Sequence, residues 1–132
     1  MHLEHIGIAV ASLPAARDLY TRLLGAAPYK EERVEAQGVT TLFFRTGESK
    51  VELLEATRPD SPIAKFIDAR GEGLHHVAFE VADIHAEMAR LRAEGFRLLS
   101  EEPTVGADDK WVCFVHPKSA GGVLVELCQS RS

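Results

Sequence analysis

The sequence predicts an α+β fold in which two paired βαβββ modules form a curved, half-barrel mixed sheet around a cleft. The observations that predict it are an internal repeat, the same order of strand and helix patterns in both copies, and a composition typical of one globular domain. The chain has 132 residues, of which 45% are hydrophobic and 27% charged, and this length suits a single domain with its own core. We expect one domain over residues 1–132, with module one at about 1–56, a linker at 57–73 and module two at about 74–129.

The repeat is visible near both ends of each copy. His5–Leu13 aligns with His76–Ile84, 71 residues later, with apolar residues matched and with His, Val and Ala identical at equivalent places. Val51–Leu54 aligns with Val125–Cys128, 74 residues later, so short loop insertions account for the difference. Because a βαβββ unit leaves unpaired sheet edges, a second copy supplies the missing partner.

The first module is predicted to contain a strand, a helix and three further strands. His2–Val10 is rich in branched residues and favours a strand. Ser12 as N-cap, Pro14 in the first turn and Gly25 as the stop indicate a helix. The apolar face of this helix consists of Ala16, Leu19, Tyr20, Leu23 and Leu24. The three strands, separated by turn signals, are Tyr29–Val34, Val39–Arg45 and Lys50–Glu55.

The linker and the second module follow the same logic. The breaker cluster Thr57–Pro62 precedes a short helix over 62–69, with Ile63, Phe66 and Ile67 inward. The second module begins with a strand at Leu74–Val81 and continues with a helix from the N-cap Asp83 to the stop Gly95. The inward residues of that helix are Ile84, Met88 and Leu91. The remaining predicted strands are Phe96–Leu99, Trp111–His116 and Gly122–Cys128.

Charge and composition exclude several functions. The net charge of −5 repels a phosphate backbone and an anionic lipid surface, so we expect no nucleic-acid partner and no membrane partner. No apolar run approaches the ~20 residues of a spanning helix, and the first residues lack a secretory signal, so we expect a cytoplasmic protein. Cys113 and Cys128 lie in apolar stretches and are predicted to be core thiols.

Two repeat-related pairs carry the strongest chemical signal. His5 and Glu52 are 47 residues apart, and His76 and Glu126 are 50 residues apart. Two imidazoles and two carboxylates from four strands suit a Co, Mn, Ni, Fe or Zn ion better than calcium, and leave two positions open for catalysis. The cleft is therefore predicted to bind a metal. The alternative is that each residue is an ordinary outward polar side chain of an alternating strand.

The chain resembles a known family in several segments: His5–Val10, Gly73–Phe79, His116–Lys118 and Gly122–Leu127, together with Asp60–Phe66 and Ser100–Pro103. These segments are similar to those of the methylmalonyl-CoA epimerases of the vicinal oxygen chelate superfamily. The resemblance implies paired βαβββ modules, a coenzyme A thioester substrate, a role in propionate metabolism, a homodimer and a divalent metal. Cobalt is the expected ion, with Mn, Ni, Zn or Mg as alternatives. The family's ligands fall on His5, His76 and Glu126, and the fourth, Gln in some members, falls on Glu52.

The implied reaction interconverts (2R)- and (2S)-methylmalonyl-CoA by abstracting the α-proton, with an enolate whose two oxygens the metal holds. One hypothesis is that Glu126 loosens from the metal and acts as base, while Glu52 or a bound water serves the opposite face. The alternative is that both stay ligands and another group is the base. Some family members carry a glutamate where this chain has Thr41, which cannot accept a proton at neutral pH, so the second acid–base group is open.

Other readings remain beside this one. A glyoxalase I-type lyase acting on a glutathione hemithioacetal would use the same four ligands. A metal-free small-molecule-binding protein of the same fold would need none of them, and an iron-dependent dioxygenase would not need Glu52. Basic candidates for coenzyme A contacts are Arg58, Lys65, Lys110 and Lys118, none of which is assigned individually.

Overall fold

The computed structural model describes residues 1–132, which form two compact units. The N-terminal unit is His5–His75, and the C-terminal unit is His76–Ser132 together with Met1–Glu4. The strands are β1 His2–Ala9, β2 Lys30–Val34, β3 Val39–Thr46, β4 Ser49–Ala56, β5 Gly73–Glu80, β6 Thr104–Gly106, β7 Lys110–Val115 and β8 Val125–Ser130. The helices are α1 Leu13–Leu24, α2 Pro62–Arg70 and α3 Ile84–Ala93. None of them has the length and apolar character needed to cross a bilayer.

The N-terminal unit contains a mixed sheet in the order β2-β3-β4-β1. β1 and β4 are parallel, whereas β3 pairs antiparallel with both β4 and β2. Helix α1 packs on one face of this sheet, against Leu42, Phe44, Val51 and Leu53. On the other face, Ile63 of α2 packs against Ala9, Val39 and Leu54. Successive residues of a strand point to opposite faces, so each residue of β3 and β4 can be assigned either to the α1 face or to the α2 face of the sheet.

The predicted limits of α1 are confirmed by its caps. The Ser12 hydroxyl accepts a hydrogen bond from the Ala15 N–H at 3.3 Å, and Gly25 ends the helix at φ 74°. The predicted apolar face is too wide, however, because Leu19 and Leu23 are exposed. The sheet contacts only a stripe of residues three or four positions apart, which consists of Leu13, Ala16, Tyr20 and Leu24.

The C-terminal unit repeats this topology in the order β5-β8-β7-β6. β5 and β8 are parallel, and the other neighbours are antiparallel. Helix α3, capped by the Asp83 carboxylate at 3.1 Å from the Ala86 N–H, packs its inward residues on one face. Its buried residues are Ile84, Met88 and Leu91, as predicted. Two βαβββ modules are therefore present, one in each unit.

One predicted strand, Phe96–Leu99, is reduced to an isolated bridge between Leu98 and Val115. The Leu99 N–H donates to the Phe114 carbonyl and the His116 N–H to the Arg97 carbonyl, while the edge strand β6 pairs with the other end of β7. At the β6 edge, an added Cβ on Gly106 would lie 2.9 Å from Cγ1 of Val112, so glycine suits this close approach of β6 to β7. The last strand also starts later than predicted, at Val125, because the N–H groups of Gly122 and Val123 donate to the Pro117 and Ala120 carbonyls in the preceding turn.

Candidate metal centre

The first histidine–glutamate pair lies in the N-terminal unit, on the sheet face opposite α1. His5 is on β1 and Glu52 is on the parallel strand β4, where it pairs in register with Gly7. The Nε2 atom of His5 is 3.4 Å from Oε1 of Glu52, and their side chains are 8% and 5% exposed. The pair is thus a buried imidazole beside a buried carboxylate.

The second pair has the same geometry in the C-terminal unit. His76 is on β5, and Glu126 on β8 pairs in register with Ala78, two residues after the histidine. The Nε2 atom of His76 is 3.4 Å from Oε1 of Glu126, and the side chains are 3% and 8% exposed. The repeat seen in the sequence therefore extends to the strand register and to the distance between the histidine Nε2 and glutamate Oε1 atoms.

The donor atoms fit a divalent metal in type and in spacing. Two ligand atoms that each lie about 2.1 Å from one ion are roughly 3.0–3.4 Å apart in octahedral or tetrahedral geometry. The distance of 3.4 Å within each pair lies at this limit, beyond an ordinary N–H···O hydrogen bond. His5, Glu52 and His76 are all buried side chains of the types that hold such an ion.

Each pair is flanked by a phenylalanine that sequence reasoning missed. Phe43 on β3 is opposite Glu52, and Phe114 on β7 is opposite Glu126. The Phe114 ring makes an edge contact with His76, with ring centroids 6.0 Å apart. The signal was present in the sequence, because the 71-residue offset that relates the two histidines also relates Phe43 and Phe114. Each ring thus lies beside its carboxylate on the neighbouring strand.

The remaining histidines make contacts elsewhere. His75, adjacent to His76, makes an edge contact with Phe66 at 5.0 Å between centroids. The Nδ1 atom of His116 accepts a hydrogen bond from the Lys118 N–H. His2 lies 3.6 Å from Glu80, and His85 lies 3.8 Å from Glu102.

Both cysteines are buried, as predicted. Burial raises the pKa of the Cys113 thiol. Burial also raises the pKa of Cys128, and the charge of nearby Glu126 adds to the effect. Because the thiolate is the reactive form, both side chains are protonated and unreactive at neutral pH.

The four basic candidates for coenzyme A contacts differ in their surroundings. Lys110 is buried and bonded to Glu80 at 2.8 Å, and Arg58 is paired with Asp60 at 2.7 Å. Burial alone would raise the pKa of Glu80, but the hydrogen bond and charge of Lys110 outweigh it and hold that pKa below its ordinary value. The other two candidates, Lys65 and Lys118, are exposed.

Comparison with known proteins places these observations in a family. Residues 4–114 match the family described as the glyoxalase/bleomycin resistance protein/dioxygenase superfamily. The chain is 42% identical over 129 residues to the human protein named methylmalonyl-CoA epimerase, mitochondrial, covering 97% of this chain and 73% of the human one. It is 43% identical over 129 residues to the ethylmalonyl-CoA/methylmalonyl-CoA epimerase of Cereibacter sphaeroides, covering 96% of each chain.

Solved structures agree with this assignment. The methylmalonyl-CoA epimerase of Mycobacterium tuberculosis is 37% identical, with a TM-score of 0.95 over 99% of this chain and 89% of the other. A variant of the Streptomyces coelicolor enzyme in complex with 2-nitronate-propionyl-CoA is 38% identical, with a TM-score of 0.92 over 100% of this chain and 99% of the other. The predicted fold class is confirmed. The chain belongs to the glyoxalase/bleomycin resistance protein/dioxygenase superfamily and, within it, to the family of the methylmalonyl-CoA epimerases.

Proposed function

We propose that this protein is a metal-dependent epimerase that interconverts (2R)- and (2S)-methylmalonyl-CoA. The observation that carries the proposal is the pair of equivalent His–Glu contacts, each at 3.4 Å and each buried. Relatives that are about 40% identical over nearly the whole chain carry the same enzyme name. The proposal includes Co²⁺ as the preferred ion, a role in propionate metabolism, a cytoplasmic location and a homodimer as the assembly.

In this proposal, His5, Glu52, His76 and Glu126 hold one divalent ion. When bound, the ion supplies positive charge that stabilises the enolate formed by loss of the α-proton. The two imidazoles contribute nitrogen ligands, and Phe43 lies opposite the buried Glu52 on the neighbouring strand. Burial of both carboxylates away from bulk water strengthens electrostatic interactions there.

The proton is moved by a carboxylate. We assign the base to Glu126, with Glu52 or a bound water delivering a proton to the opposite face of the planar enolate. Two glutamates from different modules suit a reaction that must exchange a proton at either face of one carbon. The competing assignment, in which both glutamates remain ligands, predicts that another group carries the proton.

The experiment that tests the function is epimerisation in D₂O. Purified protein with (2S)-methylmalonyl-CoA is expected to form the (2R) epimer with deuterium at the α-carbon, because a carboxylate base exchanges its proton rapidly with solvent. Mass spectrometry and a coupled assay specific for one epimer measure the two products. A parallel reaction with the methylglyoxal–glutathione adduct tests the glyoxalase alternative. Turnover of that adduct without epimerisation of the CoA thioester would show that the proposed function is wrong.

Replacing Thr41 by alanine is expected to change turnover modestly, by less than the ~100-fold typical of a lost acid–base group. Thr41 is fully buried, and its hydroxyl donates to the Glu32 carbonyl at 3.3 Å, so it has a structural partner. Steady-state kcat is the measurement. The matched control is Thr40→Ala, since Thr40 is the neighbouring residue on the α1 side of the sheet. A collapse of kcat in the Thr41 variant alone, with melting unchanged, would place Thr41 on the proton path.

A further inference from the structure

Two basic side chains lie on the same sheet face as the first His–Glu pair. Arg45 on β3 and Lys50 on β4 alternate with the residues that pack against α1, so both lie on the opposite face of the sheet. Lys50 is two residues before Glu52 on that face, which corresponds to about 7 Å along the strand. A ligand bound at Glu52 that extends about 7 Å along the strand therefore comes beside Lys50.

The two cations are direct neighbours across the sheet. Arg45 pairs in register with Lys50 on the antiparallel side, and Lys50 pairs in register with His5 on the parallel side. Two cations in register on neighbouring strands can both donate to one carboxylate or phosphate, so this arrangement suits a negatively charged ligand.

The Arg45 guanidinium lies over an aromatic ring. Its central carbon lies 4.1 Å from the centroid of the Tyr29 ring, within the range of a cation–π interaction. Tyr29 in turn contacts Phe43, at 6.1 Å between centroids, and Phe43 is opposite Glu52. The charge is thus oriented before any ligand arrives, which lowers the entropic cost of binding.

The other end of this sheet face is closed. Ile63 of α2 covers Leu54, which is two residues beyond Glu52 in the direction away from Lys50. A charged group is not stable against that apolar contact. Along β4, the anionic part of a ligand bound at Glu52 is therefore favoured on the side of Arg45 and Lys50, two basic residues in a chain whose net charge is −5.

We propose that Arg45 and Lys50 form an anion subsite that binds negatively charged oxygens of the acyl-CoA substrate. This inference rests on the proposed function and adds residues to it. An acyl-CoA of this kind offers such oxygens in two places: the carboxylate of the acyl group and the phosphates of the coenzyme. Sequence reasoning missed both residues, because only their position relative to α1 places them beside Glu52.

The test measures dissociation constants by calorimetry on the metal-loaded protein, with malonyl-CoA as the probe. Lys50→Met and Arg45→Met are each expected to weaken binding by about tenfold or more, the scale of a charge-assisted hydrogen bond. Lys50→Arg is expected to retain most of the affinity. The matched control is Arg22→Met, which removes an exposed cation on α1 that is paired with Asp18. In the epimerase assay the two subsite variants are expected to raise KM while kcat changes little.

Two further probes identify the source of the anion. Malonyl-pantetheine lacks the nucleotide phosphates, and propionyl-CoA lacks the carboxylate. If the variants bind malonyl-CoA and malonyl-pantetheine more weakly than the wild type does, but bind propionyl-CoA equally well, the subsite binds the carboxylate. If they bind malonyl-CoA and propionyl-CoA more weakly, but bind malonyl-pantetheine equally well, the subsite binds the phosphates. Unchanged affinity of both variants for all three probes overturns the subsite. Tight binding of malonyl-CoA by a wild-type protein that does not epimerise methylmalonyl-CoA contradicts the proposed function alone.

Discussion

Replacing Glu126 by glutamine is expected to leave the ion bound while lowering epimerase turnover by at least ~100-fold, the usual scale for a lost general base. The glutamine carbonyl oxygen still ligates a metal, but an amide does not accept a proton at neutral pH. The 3.4 Å contact with His76 and the edge contact of Phe114 with that histidine are preserved in shape. Elemental analysis of the purified variant and steady-state kinetics measure the two effects separately.

The matched control is Glu52→Gln, which makes the same chemical change at the equivalent residue of the other unit. If Glu126 is the base, the Glu52 variant keeps more activity at similar metal content. Metal retained with near-normal epimerisation in the Glu126 variant would exclude this residue as the base and move the assignment to Glu52 or a bound water.

Replacing His76 by alanine is expected to abolish both metal binding and epimerisation. The variant loses one nitrogen ligand. Mutating residues that only orient a ligand already lowers metal affinity or activity about 10–100-fold. A decrease of more than ~100-fold in turnover is therefore expected. Removing the ion from the wild-type protein with a chelator is expected to reproduce the loss, and added divalent metal is expected to reverse it only in the wild type.

The chain contains a close control for this substitution in the preceding residue. His75 contacts Phe66 and belongs to the alternate face of the same strand, so His75→Ala is expected to keep the metal. Thermal melting of both variants separates a lost ligand from a misfolded protein. Full metal content and activity in the His76 variant would show that the site assignment is wrong.

Local patterns in the sequence were sufficient for the modules and for their principal helix. The caps Ser12 and Gly25 act through hydrogen bonds to nearby backbone, so their effect is readable without knowledge of the rest of the fold. The His–Glu pairs were visible because duplication places equivalent residues at nearly constant offsets. Local capping patterns and internal repeats can both be recognised from the sequence without knowledge of the fold.

Long-range packing decided the features that were predicted incorrectly. The edge strand Thr104–Gly106 pairs with Lys110–Val112, whereas Phe96–Leu99 meets β7 only near Val115, and no local pattern reveals which segment pairs with which part of β7. Leu19 and Leu23 are exposed because the width of the contact stripe depends on the surface that α1 meets.

The sequence by itself determined the two βαβββ modules, the helix ends and the four residues proposed as ligands. Only the tertiary structure decided which face of each strand lies against a helix, and hence that Arg45 and Lys50 lie beside Glu52. The physical reason is that strand alternation defines two faces but not which of them is covered. That choice depends on helix α1 on one side and α2 on the other, and their contacts join residues far apart in the chain.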